Sequence, residues 1–483
     1  MKKILKGILN SNMGYLPFKI VEGIFGIIAI RLYTGLISTN DYGVYGLVNN
    51  TMMMIYLLTI GWFMFVAIRY VKEQKTEEDK KRFFSNQLLL QGSIVGIALV
   101  FYAIFALILI VRFNYDKTLL GIYILFFMGY GITQFYTHLL LYMDRRFMNV
   151  VLVVGSAVLK PIVVFCLYRL GVPTLYILFL GLGSVDLVMG GIAFFTIKPY
   201  RYFDKSMFDI GKFKEFFGYG FPLIGLTMTM YTLNMADRYI IRGFYSDHEV
   251  GVYIPSYSLA SAAFLMINYG LTRGFYPRLL TAWKDKKIKN ASEILSSGIK
   301  NFLFIALPSA TGMILVSQEM GHVFIDPKFI DGYPVIGFVA VGMFFLGLTE
   351  YINKEWELSG NTKPIFIHSL IAAVINIILN MIFVPKYGFI AAAFTTSLSF
   401  ILYFIIAWIR RTKTIEIKIA ANEIFGILIS NILMTIAVNM VGTLPFGHAV
   451  MLSVKVVVAI IVYVAGVVMF QVYDWKLWLK QNR

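Results

Sequence analysis

Apolar stretches of about twenty residues follow one another along almost the whole of this 483-residue chain. Each stretch, if helical, matches a hydrocarbon core of about 30 Å. Of the residues, 59% are hydrophobic and 14% are charged, whereas a soluble domain is about one quarter charged. The stretches are too long and too uniformly apolar for the alternating strands of a barrel. The sequence therefore predicts an all-α polytopic membrane protein with about fourteen transmembrane helices.

The basic residues indicate how these helices are oriented. With the amino terminus inside, the outer segments hold only Arg112, Lys117, Arg169, Arg242, Lys328 and Lys386, and most other Lys and Arg residues lie inside. This bias predicts that both termini are cytoplasmic. The net charge of +17 then reflects topology and attraction to anionic membrane lipids, so we expect no nucleic-acid partner. The single cysteine, Cys166, excludes a disulfide within the chain.

A short segment is repeated within the chain. G-L-I-S-T-N-D-Y-G-V-Y at 35–45 returns as G-F-Y-S-D-H-E-V-G-V-Y at 243–253. The copies precede the second and eighth predicted spans, so an even number of spans separates them and both copies run in the same direction. This predicts two pseudo-symmetric six-helix lobes around an axis along the membrane normal. We place the lobes at 1–215 and 216–411, with two further C-terminal helices and a cytoplasmic tail in 412–483.

Both copies are predicted to lie at the outer surface, where they would form equivalent rims of a cleft between the lobes. We expect the two turns to approach each other when the cleft opens inward and to separate when it opens outward. Tyr45 and Tyr253, at the ends of the copies, are candidates for closing this outer gate.

Charged residues within spans are candidates for function, because a charge at mid-bilayer costs about 2.5–3.5 kcal/mol on insertion scales. Arg31 and Arg238 occupy nearly equivalent places in the two copies and could grip an anion, or extend to the outer interface instead. Lys160, directly before Pro161, is interpreted as the deepest isolated positive charge. Arg273 completes the predicted anion-binding set.

Acidic residues and one further lysine are candidates for ion coupling or gating. Lys19 and Glu22, three residues apart, share a helix face and form either a self-neutralising pair or a proton or cation site. Asp186 is a second candidate. Asp237 is expected to point away from Arg238, since neighbours are about 100° apart on a helix, and to pair across the cleft or take part in ion coupling.

Enzyme and cofactor motifs are absent from the sequence. It contains no H-E-x-x-H, no G-x-S-x-G, no G-x-x-x-x-G-K and no G-x-G-x-x-G. We therefore predict no enzyme activity, no cofactor, no metal and no nucleotide-driven motor. Asn376 and Asn380, one turn apart, are expected to bridge helices by hydrogen bonds.

The segment A-V-I-N-I-I-L-N-M-I-F-V-P-K-Y-G-F-I-A-A-A-F-T-T-S-L-S-F, at 373–400, resembles a stretch of the polysaccharide transporter family. These are Wzx-like flippases of the multidrug/oligosaccharidyl-lipid/polysaccharide (MOP) exporter superfamily. G-Y-G-F-P-L at 218–223 and A-D-R-Y-I-I at 236–241 are similar to the same family, as is D-Y-G-V-Y at 41–45.

The resemblance implies alternating access between two lobes in a bacterial cytoplasmic membrane. It implies an undecaprenyl-diphosphate-linked oligosaccharide as cargo, for capsule, exopolysaccharide or O-antigen synthesis. A polysaccharide polymerase and glycosyltransferases are candidate partners. Four alternatives stay open: a cation-coupled multidrug or small-molecule exporter of the same superfamily, a lipid II flippase, a membrane enzyme for glycan synthesis, and a scaffold for the assembly complex.

Overall fold

The computed structural model describes residues 16–71, 73–74, 76–113, 117–442 and 446–472, and all regular structure in these ranges is helical. Eleven helices among the described residues are long and apolar enough to cross a membrane. The all-α membrane architecture is therefore confirmed. The number fourteen stays a prediction.

The chain divides into two compact units. The first runs to Tyr239 and also takes in Ser246–Gly251. Its helices are α1 (Leu16–Leu36), α2 (Thr39–Val71), α3 (Glu77–Phe113), α4 (Leu119–Tyr142), α5 (Arg146–Arg169), α6 (Thr174–Ile197), most of α7 (Ile210–Phe244) and the start of α8 (Asp247–Lys284). The lobe boundaries predicted above remain a prediction.

Glycines allow the central helices of the first unit to pack closely. A Cβ atom on Gly129 would lie 2.3 Å from the carbonyl oxygen of Gly183, and one on Gly183 would lie 2.8 Å from Cα of Phe126. Such small residues let helix backbones approach each other in a membrane, where packing rather than the hydrophobic effect holds helices together. Helix α5 packs against this closely spaced pair.

The second unit comprises Ile240–Tyr245 and the chain from Val252 onward. Beyond α8, its long helices are α9 (Ile288–Leu315), α10 (Tyr333–Ile352), α11 (Lys363–Arg410), α12 (Ala421–Val441) and α13 (His448–Met469). The last two pack on α9, where Tyr463 donates a hydrogen bond of 2.8 Å to the carbonyl of Phe304 and Lys300 pairs with Glu423 at 2.5 Å.

Helix α11 consists of two arms that meet at Gly388, whose φ of 74° and ψ of −165° are not helical. Buried polar side chains clamp the arms together. Asn376 donates to Thr396 at 3.1 Å, and Thr395 donates to Asn380 at 2.9 Å. The prediction that these asparagines bridge helices is confirmed. The K-Y-G-F segment at 386–389 is where the predicted spans 364–384 and 388–409 meet.

Candidate functional site

The serine of each repeated turn begins a helix. Ser38 is the N-cap of α2, and its Oγ accepts a hydrogen bond of 3.1 Å from the backbone N–H of Asp41. In the second copy, Ser246 Oγ accepts from the N–H of His248 at 3.1 Å and donates to Glu249 at 2.6 Å. Side-chain oxygens at this position satisfy N–H groups that the first helical turn leaves unpaired. The repeated serine therefore fixes where each chain segment turns.

The second glycine of each turn forms a close helix crossing within the first unit. A Cβ atom on Gly43 would lie 1.9 Å from the carbonyl oxygen of Asp247, and one on Gly251 would lie 1.8 Å from that of Thr39. The contact is reciprocal, because each glycine receives the first residue of the other helix. Any larger side chain at either position would force the two helix starts apart.

A side-chain hydrogen bond closes the same crossing. Thr39 Oγ1 and His248 Nδ1 are 2.7 Å apart. Nearby, Thr174 at the start of α6 donates to Asp41 at 2.6 Å. Thr39 and His248 were not among the predicted site residues. The internal repeat was the signal that could have identified them, since both follow its serine.

Lys160 and Asp186 form an ion pair between α5 and α6. Nζ of Lys160 lies 2.9 Å from Oδ1 of Asp186, with 28% of the lysine side chain and 3% of the aspartate side chain exposed. Ser156 donates to the same carboxylate at 3.5 Å, and Thr133 donates to the Asp186 carbonyl. The prediction that Lys160 is an isolated charge is wrong. It is instead a partly exposed cation held in place by a buried carboxylate.

Tyr45 on α2 contacts aromatic rings of α2, α4 and α6. Tyr45 lies with its ring centroid 5.6 Å from that of Phe179 and 5.9 Å from that of Tyr42. Tyr45 thus links α2 to α6 by ring packing. Tyr253, in the second unit, is fully buried beside Tyr257.

Asp237 and Arg238 form a second buried pair, on α7. Arg238 Nη1 lies 3.1 Å from Oδ1 of Asp237 and donates to the carbonyl of Asn234 at 2.7 Å. The prediction that the two side chains point to different sides is wrong, because the long arginine side chain folds back to the adjacent carboxylate. Tyr239 anchors this part of α7 to α2 through a hydrogen bond of 2.5 Å to Thr51.

Two of the remaining predicted site residues lie on α1. Arg31 is exposed and Glu22 is half-buried on α1. The side chains of Lys19 and Arg273 lie outside the described part of the structure. Within the described ranges, no group of three or more His, Cys, Asp or Glu residues has a geometry that would hold a metal ion.

Helices long and apolar enough to cross a membrane, with charged pairs inside them, define a polytopic α-helical membrane protein. More specifically, a model of the family described as "Polysaccharide biosynthesis protein" matches residues 15–283, more than half of the chain. The chain belongs to this family. A model described as "Lipid II flippase MurJ" matches residues 220–469. Because these are transporter families, the prediction that the chain is not an enzyme is confirmed.

Individual relatives are distant. A lipid II flippase MurJ of Thermosipho africanus is 28% identical over 29% of this chain and 30% of its own length. A probable low-salt glycan biosynthesis flippase, Agl15 of Haloferax volcanii, is 23% identical over 42% of this chain and 43% of its own length. The alignments thus span less than half of these relatives. A solved structure of a lipid II flippase MurJ, in an inward closed conformation, has the same fold, with a TM-score of 0.73, 17% identity and coverage of 94% of this chain and 99% of that one.

Proposed function

We propose that the protein is a flippase that moves an undecaprenyl-diphosphate-linked oligosaccharide across the bacterial cytoplasmic membrane, by alternating access between two six-helix lobes. The match to the polysaccharide biosynthesis family supports the substrate class. The observation that carries the proposal is Lys160, a cation inside a span that is both held by Asp186 and partly exposed. A diphosphate needs such a cation in reach of the cargo path.

The four predicted anion-binding residues then differ in how readily they could contact the cargo. Lys160 and Arg31 come first, because both are accessible in part or in full. Arg238 is 2% exposed and would have to leave Asp237 before it could contact a phosphate. We therefore propose that the Asp237–Arg238 pair rearranges during the cycle. We also propose that Asp186, Glu22 and Lys19 take part in ion coupling or gating. Arg273 remains a candidate for first contact with the cargo.

We propose that the crossing of the two repeated turns is the closed outer gate. The reciprocal glycine contacts and the Thr39–His248 hydrogen bond support this role, since contacts that hold two helix starts together would have to break for the cleft to open outward. No nucleotide-binding motif is present in the sequence, so an ion gradient or the gradient of the cargo itself would give the cycle its direction.

The second candidate function is lipid II transport. It is favoured by the lipid II flippase model, which matches residues 220–469 and includes the two C-terminal helices. Both cargoes share a polyprenyl diphosphate and differ in the glycan. Complementation distinguishes them. Growth rescue of cells depleted of their lipid II flippase would support the second candidate. Restored surface polysaccharide in cells that lack their polysaccharide flippase, without growth rescue of the first cells, would support the first candidate.

The anion-binding role is tested by Arg31→Ala and Lys160→Ala, with surface polysaccharide measured at equal protein level. We expect a loss of about tenfold or more for each, because each would remove a charge-assisted hydrogen bond to phosphate. Arg112→Ala, an exposed arginine at the end of α3, is the matched control and should leave the polysaccharide unchanged. Unchanged polysaccharide in both site variants would refute the assignment.

A further inference from the structure

A cavity of about 430 Å³ lies in the second unit, where the two ends of α11 come together. The last turn of the second arm supplies Arg410, and the first turn of the first arm supplies Lys363. The residues that line it and bear on the argument are Trp356, Asn361, Lys363, Ile367, His368 and Arg410. The loops at this end carry basic residues and are predicted to be cytoplasmic.

The cavity is built for an anion. Lys363 and Arg410 bring two positive charges, and its described lining residues include no carboxylate. The first turn of α11 adds the backbone N–H groups of Lys363 and Ile365, which lack intrahelical acceptors, and the positive end of the helix dipole. A phosphate group at a helix amino terminus, flanked by Lys and Arg, satisfies all of these groups at once.

A buried polar atom in the wall of the cavity also points to a ligand. His368 is 7% exposed, and its Nδ1 has no hydrogen-bond partner among the described atoms. The ring is held edge-on against Trp356, with centroids 5.2 Å apart. Because buried polar atoms are nearly always hydrogen-bonded in folded proteins, this nitrogen is a position for a ligand atom. In the tautomer that carries the proton on Nδ1, it would donate to an oxygen.

The cavity opens onto an apolar helix face. Ile367 lines the cavity and is itself exposed, as are Ile371, Val374 and Ile378. These residues are spaced by four, three and four positions, so they follow one face of the first arm of α11. An acyl chain attached to a phosphate in the cavity could lie along this face, whereas free phosphate would make no use of it.

We propose that this cavity binds the phosphate headgroup of an anionic phospholipid from the inner leaflet. Lys363 and Arg410 pair with the phosphate, His368 donates a hydrogen bond from Nδ1, and one acyl chain packs along the Ile367–Ile378 face. The occupied site ties both arms of α11 to a single lipid. It lies on residues separate from those proposed to bind the transported cargo.

The test is lipid binding by the purified full-length protein, measured by native mass spectrometry with phosphatidylglycerol and phosphatidylcholine of identical acyl chains. We expect phosphatidylglycerol to be retained preferentially, and Lys363→Gln/Arg410→Gln to weaken its binding by about tenfold or more. The matched control is Arg278→Gln/Lys287→Gln, which removes the same charge from another cavity of about 400 Å³ in the same unit. That cavity also contains Asp285, and the control should bind like the wild type.

Three results would overturn the proposal. They are equal retention of the two lipids by the wild-type protein, equal weakening by the site and control variants, and displacement of phosphatidylglycerol by the same concentration of inorganic phosphate. If Lys363→Gln/Arg410→Gln does not fold, two other measurements test the proposal. They are lipid binding by His368→Ala and the melting temperature of the wild-type protein in each of the two lipids. Glycan transport is not a readout, so the outcome is independent of the proposed function.

Discussion

Lys160 shows how a charged side chain can be both stable within a span and available to a ligand. The carboxylate of Asp186 is nearly fully buried, whereas more than a quarter of the lysine side chain is exposed. The sequence identifies both residues as unusual charges within apolar stretches. It does not reveal their pairing, because the two residues lie on different helices. Their separation in sequence does not give their distance in space. Neighbouring residues on a helix point in different directions, but the side chain of Arg238 is long and flexible enough to reach the carboxylate of Asp237.

We expect removal of the two charges of the Lys160–Asp186 pair to lower stability by different amounts. Lys160→Ala leaves a buried carboxylate without its cation and should lower the free energy of unfolding by about 3–5 kcal/mol. Asp186→Asn leaves a lysine that reaches solvent, so its effect should be smaller. The double variant should recover most of the loss. Thermal unfolding in detergent measures all three, and strictly additive effects would contradict the pairing.

The glycine at the helix crossing gives a second prediction for a single residue. In a Cys166→Ser background, Gly251→Ala should push the two turns apart, because its Cβ would lie 1.8 Å from a backbone oxygen. Labelling of His248→Cys by a membrane-impermeant maleimide should then become faster. Gly243→Ala is the control, since no atom lies within 4 Å of its added Cβ. Equal labelling in the two alanine variants would show that the crossing does not depend on this glycine.

At the scale of elements, most helices could be predicted, because long apolar stretches in a membrane leave the backbone few choices other than a helix. The break in α11 lies where two of the predicted spans meet, although apolar residues continue on both sides of Gly388. The asparagine–threonine network that joins the arms is partly predictable from residue type. Its exact partners depend on how the arms fold back on each other. The orientation of Tyr45 could not be predicted, because packing against α4 and α6 decides it.

Gly388→Ala tests the break directly. The φ of 74° and ψ of −165° at this position are accessible essentially only to glycine, so alanine should lower the free energy of unfolding by about 1–3 kcal/mol. The space around Gly388 is open, so the effect would come from the backbone rather than from a clash. Gly96→Ala, in the open surface of helix α3, should leave stability unchanged or raise it by about 0.5–1 kcal/mol. Equal stability of the two variants would contradict the observed break.

At the scale of the whole molecule, the proposed cycle requires the crossing of the repeated turns to open and close. Thr39→Cys/His248→Cys in a Cys166→Ser background should cross-link on oxidation, since the two side chains are in hydrogen-bond contact. Cross-linking should stop polysaccharide export, and reductant should restore it. Asp41→Cys/Thr174→Cys joins two side chains in similar contact on α2 and α6, within one predicted lobe, and is the control. Export that continues with the first pair cross-linked would show that this crossing is not the gate.

The central claim is that the protein moves a polyprenyl-diphosphate-linked glycan from one leaflet to the other. The most direct measurement uses proteoliposomes that contain the purified protein and a defined undecaprenyl-diphosphate oligosaccharide, with an impermeant glycosidase reporting how much glycan reaches the outside. We expect protein-dependent flipping that is lost with Lys160→Ala and retained with Arg112→Ala. Equal glycan exposure in proteoliposomes and protein-free liposomes, with the protein folded, would contradict the account.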